Sequence, residues 1–94
     1  KRILITENGI ADKEDKLRGD FIKKSIDAIK RAKEKGVDVF GYMYWSLMDN
    51  YEWGGGFKPR FGLIEIDYEK NLERKIRQSA YYYAEICKKN ILLQ

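Results

Sequence analysis

Glu7 closes an apolar run, Ile3, Leu4 and Ile5, and is followed at once by Asn8 and Gly9. The run has the make-up of a strand covered on both faces, and Asn8 and Gly9 tolerate the left-handed backbone that ends a strand. The Glu7 carboxylate is therefore expected at a rim and not inside a core. In parallel α/β architectures the carboxyl ends of the strands are where chemistry is done. A lone acid at such a place is also compatible with a solvated charge, so the rest of the chain has to decide its role. Further along, Trp45, Asp49, Glu52 and Trp53 stand close together ahead of Gly54, Gly55 and Gly56. Two indoles and two carboxylates suit a sugar: its C–H faces stack on aromatic rings, and its hydroxyls pair with carboxylates and indole N–H groups. The same residues could instead form an aromatic mini-core that holds down a long loop. The glycines do not fit a phosphate-binding fingerprint, because no strand-to-helix junction with the required spacing follows them.

These residues need elements to hold them. A strand is expected over residues 1–7 and a helix over about 16–35, with Asp12 or Asp15 as its cap and Gly36 ending it. Within the helix Ile22, Ile26 and Ile29 recur at i, i+4 and i+7, and Leu17, Phe21, Ser25, Ala28 and Ala32 widen the stripe. Residues 37–45 alternate Val37, Val39, Gly41, Met43 and Trp45 with Asp38, Phe40, Tyr42 and Tyr44, again apolar or aromatic on both faces. Strand, helix and strand make a βαβ unit with parallel strands and a right-handed crossover. The class is α/β. Beyond it, residues 46–77 are loop-rich, with a hairpin between 61–68 and 73–77 that turns at Glu69, Lys70 and Asn71. A last helix over about 79–89 would place Ala80, Tyr83, Ala84 and Cys87 on one stripe, and residues 90–94 are too few to classify.

Composition narrows the function classes. With 94 residues of which 36% are charged, the chain has a modest core for its size. The net charge of +4 comes from 19 basic and 15 acidic residues interspersed along the helical stretches, a pattern that does not make a nucleic-acid patch. Cys87 is the single cysteine, and no histidine is present to activate it or to share a metal with it, so it is expected in the core. Neither a metal nor a cofactor is implied. No signal-peptide pattern opens the chain and no apolar run approaches the length of a membrane span, so a cytoplasmic protein without a membrane partner is the expectation. The chain enters a strand almost at its first residue, without a methionine, and reads like part of something longer.

Three segments carry a resemblance. ITENG at 5–9, YWSLMDNYEW at 44–53, and RFGL at 60–63 followed by IDY at 66–68 resemble family 1 of the glycoside hydrolases, the retaining β-glucosidases and β-galactosidases, in order and in spacing. The likeness runs from Lys1 to about Lys89. It implies a (β/α)8 TIM barrel, a fold of about 250 residues or more, of which residues 1–94 form a C-terminal fragment: the βαβα quarter with strands seven and eight and their helices. It implies that Glu7 is the catalytic nucleophile, that Trp45 lies beneath the bound sugar with a cis peptide bond to Ser46, that Glu52 and Trp53 bind hydroxyls of the non-reducing sugar, and that Phe61 lines its far side. The substrate would be a β-glycoside or oligosaccharide, the partner the complementary N-terminal portion of the barrel, with assembly into a homo-oligomer open. Ile76 and Gln78 stand where such chains often carry proline and an acid, which weakens the expected turn and helix cap. No Asn-Glu-Pro segment is present, so the second carboxyl group that retaining hydrolysis needs must come from elsewhere. The alternative is a non-catalytic carbohydrate-binding or self-associating scaffold fragment whose open strand edges pair with other chains.

Overall fold

The structure, a computed structural model, describes residues 1–89. Strand β1 (Ile3–Ile5) pairs in parallel with β2 (Val39–Tyr42), and helix α1 (Arg18–Glu34) connects them. The βαβ unit read from the hydrophobic pattern is present, with strands shorter than expected at both ends. Pairing nevertheless continues past them: the Met43 N–H donates to the Ile5 carbonyl (2.8 Å) and the Trp45 N–H to the Asn8 carbonyl (3.0 Å).

The strict alternation expected along residues 37–45 does not hold. Val39 and Tyr44, assigned to opposite faces, are both buried. The ladder pairs Ile3 with Val39 but Leu4 with Gly41, so Phe40 is an extra residue on its strand, and an insertion of this kind breaks a two-residue period.

Helix α1 forms where its apolar stripe lies, and Ile22, Ile26 and Ile29 are buried as their spacing requires. Leu17 and Ala28, expected on the same stripe, are exposed, and Arg18 is buried in their stead. Asp12 caps the helix from outside it, its Oδ2 accepting the N–H groups of Leu17 (2.8 Å) and Arg18 (3.0 Å), two of the donors that have no partner within the first turn. At the other end the Gly36 N–H returns to the Lys33 carbonyl (3.0 Å) with φ at 92°, the left-handed cap that glycine accepts without strain.

Strands β3 (Ile64–Asp67) and β4 (Glu73–Ile76) make the expected hairpin, Ile64 opposite Ile76 and Asp67 opposite Glu73. Its turn is tied by Asp67, whose Oδ1 accepts from the Glu69 (3.0 Å) and Lys70 (3.1 Å) N–H groups. Helix α2 (Gln78–Lys89) follows. The cap that Gln78 does not provide comes from far along the chain: Asp15 accepts the Ser79 N–H (2.9 Å) and hydroxyl (2.6 Å). Cys87 is exposed and not in the core, and so is Ala84; the inward face of α2 carries Ser79, Tyr83 and Ile86, which puts position 87 a further 100° round the helix.

The two helices pack together over one side of the β1–β2 pair. Ile22, Ile26, Tyr44, Leu63 and Ile86 form the core, with Phe21, Tyr42, Ala80 and Tyr83 against it. The Tyr83 ring meets Tyr42 and Tyr44 with centroids 6.2 and 6.3 Å away. Ile3, Leu4 and Met43, from a sheet expected to be covered on both faces, are 40%, 36% and 53% exposed, so the described residues leave this sheet only partly covered.

Candidate active site

Glu7 lies just beyond β1, exposed at the end of the strand as its flanking residues predict. What stands beside it is set by backbone contacts. Asn8 accepts the Trp45 N–H, and its side-chain oxygen accepts the Tyr42 hydroxyl (2.9 Å), which burial pushes up to about 12 and so keeps protonated as a donor. Gly9 rests on the Trp45 carbonyl so closely that an added Cβ would overlap the carbonyl oxygen. Any side chain at this position would drive the Glu7 segment and the Trp45 segment apart. The Trp45–Ser46 peptide bond is cis, as the resemblance implied.

After Trp45 the chain runs beside residues 61–64. The Ser46 N–H donates to the Phe61 carbonyl (3.2 Å) and the Leu63 N–H to the Ser46 carbonyl (2.9 Å), which brings Phe61, itself half-buried, next to the Trp45 segment. The Trp45 indole N–H donates to Glu52 Oε1 (3.1 Å), so the two residues expected to hold a sugar already hold each other. Glu52 is also fixed through its backbone, accepting from the Gly55 N–H (2.8 Å) and donating to the Gly56 carbonyl (2.7 Å) around a 3-10 turn, Trp53–Gly55. Trp53 sits on that turn with φ at 41° and is 86% exposed. Glu7, Trp45, Glu52 and Phe61 thus belong to one neighbourhood, while Trp53 projects from its edge.

An aromatic cluster also forms in the loop, from other residues and at the surface, with Tyr51 and Phe57 both exposed. Phe57 packs between Tyr51 (5.2 Å) and Tyr68 (4.8 Å), and the Arg60 guanidinium lies 4.6 Å from the centre of the Tyr68 ring. This cluster anchors the loop and leaves both tryptophans outside it.

The deepest anchor of the loop is Asp49, named in the sequence only as one of its acids. Its fully buried carboxylate accepts from Arg77 Nη1 (2.8 Å) and Nη2 (3.2 Å), Arg60 Nη1 (3.0 Å), and the N–H groups of Gly62 (2.9 Å) and Ile66 (3.2 Å). Burial alone would raise this carboxyl; the hydrogen bonds from Arg77, Gly62, Arg60 and Ile66 outweigh it and hold the group below its ordinary value of 3.8. No local pattern announces this cluster, because the partners of Asp49 lie 11 to 28 residues further along the chain.

Arg18 was missed as well, although here a signal existed. It lies four residues before Ile22 on the stripe that Ile22, Ile26 and Ile29 define, and a charged residue on a buried stripe has to find partners inside. Its guanidinium, with no exposure, meets Asp15 at 2.6 Å. Burial works against the Asp15 carboxylate, but its hydrogen bonds with Ser79 and Arg18 prevail and lower its pKa.

The sequence model of the family described as Glycosyl hydrolase family 1 matches residues 1–92. A β-galactosidase of Sulfolobus acidocaldarius is 46% identical over 90 residues, covering 94% of this chain and 18% of the relative. A benzoxazinone glucoside β-D-glucosidase of Secale cereale, described as chloroplastic, is 45% identical over 92 residues, covering 87% of the chain and 16% of the relative. Among solved structures, a β-glycosidase from Pyrococcus horikoshii superposes with a TM-score of 0.90 at 51% identity, over 96% of this chain and 21% of that one. The chain therefore spans about a fifth of the length of the proteins it matches.

Proposed function

Because the chain belongs to glycosyl hydrolase family 1, we propose that it supplies strands seven and eight, with their helices, to a (β/α)8 barrel that hydrolyses terminal non-reducing β-D-glycosides with retention of configuration. The observation that carries this reading is the joining of Glu7 to the sugar-type residues: Asn8 accepts the Trp45 N–H, and the Trp45 indole donates to Glu52. A carboxylate at a strand end, one residue from the backbone that holds the segment of an indole and a second carboxylate, has the parts to attack one carbon of a sugar while its hydroxyls are held.

The two steps follow from that placement. A Glu7 carboxylate oxygen bonds to the anomeric carbon as the bond from that carbon to the aglycone oxygen breaks. The departing oxygen takes its proton from a carboxylic acid on the remaining barrel. Water, deprotonated by the same group, then displaces Glu7, and two inversions give retention. Retaining chemistry calls for carboxyl groups about 5–5.5 Å apart, so the partner acid has to face Glu7 across the sugar from another strand. Trp45 would support the ring, Glu52 and Trp53 would take outer hydroxyls, and Phe61 would close the far side.

Combining the 94-residue chain with its complementary barrel portion tests the reading directly, the expected result being turnover of an aryl β-glycoside by the mixture. Absence of turnover from a well-formed complex would sink it. The chain alone is expected to be inactive and to associate with itself, because the exposed Ile3, Leu4 and Met43 and the open edges of the β1–β2 pair are not covered by any of the described residues. Sedimentation velocity together with an assay of the isolated chain checks both halves, a compact monomer refuting the first and measurable turnover the second.

Glu52 offers a specificity test. Its carboxylate is expected to accept from adjacent hydroxyls at the non-reducing end, one of which differs in orientation between gluco and galacto sugars. Glu52→Ala should therefore lower kcat/KM for the two substrate series by unequal factors, with losses on the order of 10-fold or more for the series that depends on it. Equal losses, or none, would reduce Glu52 to a partner of Trp45.

A further inference from the structure

Arg18 occupies a position on α1 where the periodicity asks for an isoleucine or leucine. Its guanidinium spreads over several segments instead. Nε donates to the Tyr44 hydroxyl (2.8 Å), Nη1 to Asp15 Oδ1 (2.6 Å), and Nη2 to the carbonyls of Asp12 (2.8 Å), Arg60 (2.7 Å) and, at the limit, Ile10 (3.4 Å). The Tyr44 hydroxyl in turn donates a hydrogen bond to the Phe61 carbonyl (2.9 Å). For stability alone a buried cation has little advantage over an apolar residue of the same size. A guanidinium differs in that it holds acceptors from separate segments in one plane, which an apolar side chain or a lysine ammonium cannot do.

The segments so held are those that carry the proposed site. Ile10 lies in the connection that leaves Glu7, Tyr44 directly precedes Trp45, and Arg60 directly precedes Phe61. We infer that Arg18 is a positioning residue for the sugar site, fixing the distance between the Glu7 strand end and the Trp45 and Phe61 segments from behind, without reaching the sugar. The inference rests on Glu7 acting as the nucleophile. Its consequence is kinetic: a misplacement of about 1 Å at the attacking atom costs on the order of 100-fold in rate, whereas binding through the outer hydroxyls is less sensitive.

The test uses the complete barrel containing this chain. Competent sites are first counted with a 2,4-dinitrophenyl 2-deoxy-2-fluoro-β-glycoside. A Glu7 oxygen bonds to the anomeric carbon as dinitrophenolate leaves with the electron pair, and peptide mass spectrometry locates the trapped ester. Arg18→Lys keeps the charge but offers one compact ammonium, and kcat per titrated site should fall about 10- to 100-fold with KM within about threefold of the parent. Tyr44→Phe removes the hydroxyl through which Arg18 Nε reaches the Phe61 carbonyl while leaving the guanidinium its bonds to Asp15, Asp12 and Arg60, and should lower kcat per site by about 3- to 10-fold. Activity lost solely through fewer titratable sites, or a per-site kcat within about twofold of the parent, overturns the inference and leaves Arg18 a packing residue. Should Arg18→Lys not assemble, Tyr44→Phe decides alone, an unchanged per-site kcat overturning the proposal. A parent barrel that traps no ester on Glu7 overturns the functional reading itself, so the two failures are told apart.

Discussion

Replacing Glu7 with glutamine in the assembled barrel should remove glycoside hydrolysis, by on the order of 10⁴- to 10⁶-fold in kcat, while leaving binding of an uncleavable thioglycoside within a few-fold of the parent. The amide keeps the shape of the carboxylate, but its oxygen is too weak a nucleophile to form the glycosyl ester, and its nitrogen has no lone pair to offer. Binding survives because the groups proposed to hold the sugar are fixed independently of the Glu7 side chain. Trp45 is fixed by the Asn8 carbonyl, Glu52 by the Trp45 indole and the turn at Trp53–Gly55, and Phe61 by Ser46. Steady-state kinetics with an aryl glycoside, paired with calorimetric titration of the thioglycoside, separate the two effects. Turnover close to that of the parent would remove Glu7 from the mechanism.

Asp49→Ala is the substitution with the largest expected effect on folding. It takes the buried carboxylate from Arg77 and Arg60, which keep backbone carbonyls of Gly62, Lys13 and Ile66, and leaves the Gly62 and Ile66 N–H groups without that acceptor. Breaking a buried pair by removing one member costs about 3–5 kcal/mol, a large part of the 5–15 kcal/mol that typically holds a domain together. Because Gly62 lies against the Met48–Asp49 backbone with no room for a Cβ, the loop cannot close over the gap without disturbing Phe61 next door. Denaturant unfolding of the assembled barrel checks the loss, and a shift below about 1 kcal/mol would show that the cluster is replaceable. The pH dependence has a definite sign. The folded Asp49 carboxyl lies below its ordinary 3.8, so its contribution is complete above that value and is lost as the pH falls from there through the lower folded one. Asp15 behaves in the same direction, and acid unfolding should begin with the loop and the start of α2 that these two carboxylates hold.

Those parts of the molecule whose information is local could be read from the residues in order. A helix stripe at Ile22, Ile26 and Ile29, an apolar run before Glu7, and glycine at the end of α1 each state a period or a backbone preference within a few residues, and the βαβ unit follows from them. The family was legible for the same reason, since its motifs at 5–9, 44–53 and 60–68 are contiguous strings. Tertiary structure alone decided which charges are buried and what they hold. Asp49 finds Arg77 across 28 residues, Asp15 caps a helix 64 residues away, and Arg18 takes an apolar position because Tyr44, Asp15 and three backbone carbonyls converge on it. It also decided the fate of Cys87 and Phe40, where a rotation of the helix face and one extra residue in a strand override the local pattern. A periodic pattern states which side of an element is apolar; only the packed neighbours supply the acceptors that allow a charge to stay inside, and those neighbours come from segments that no local reading joins.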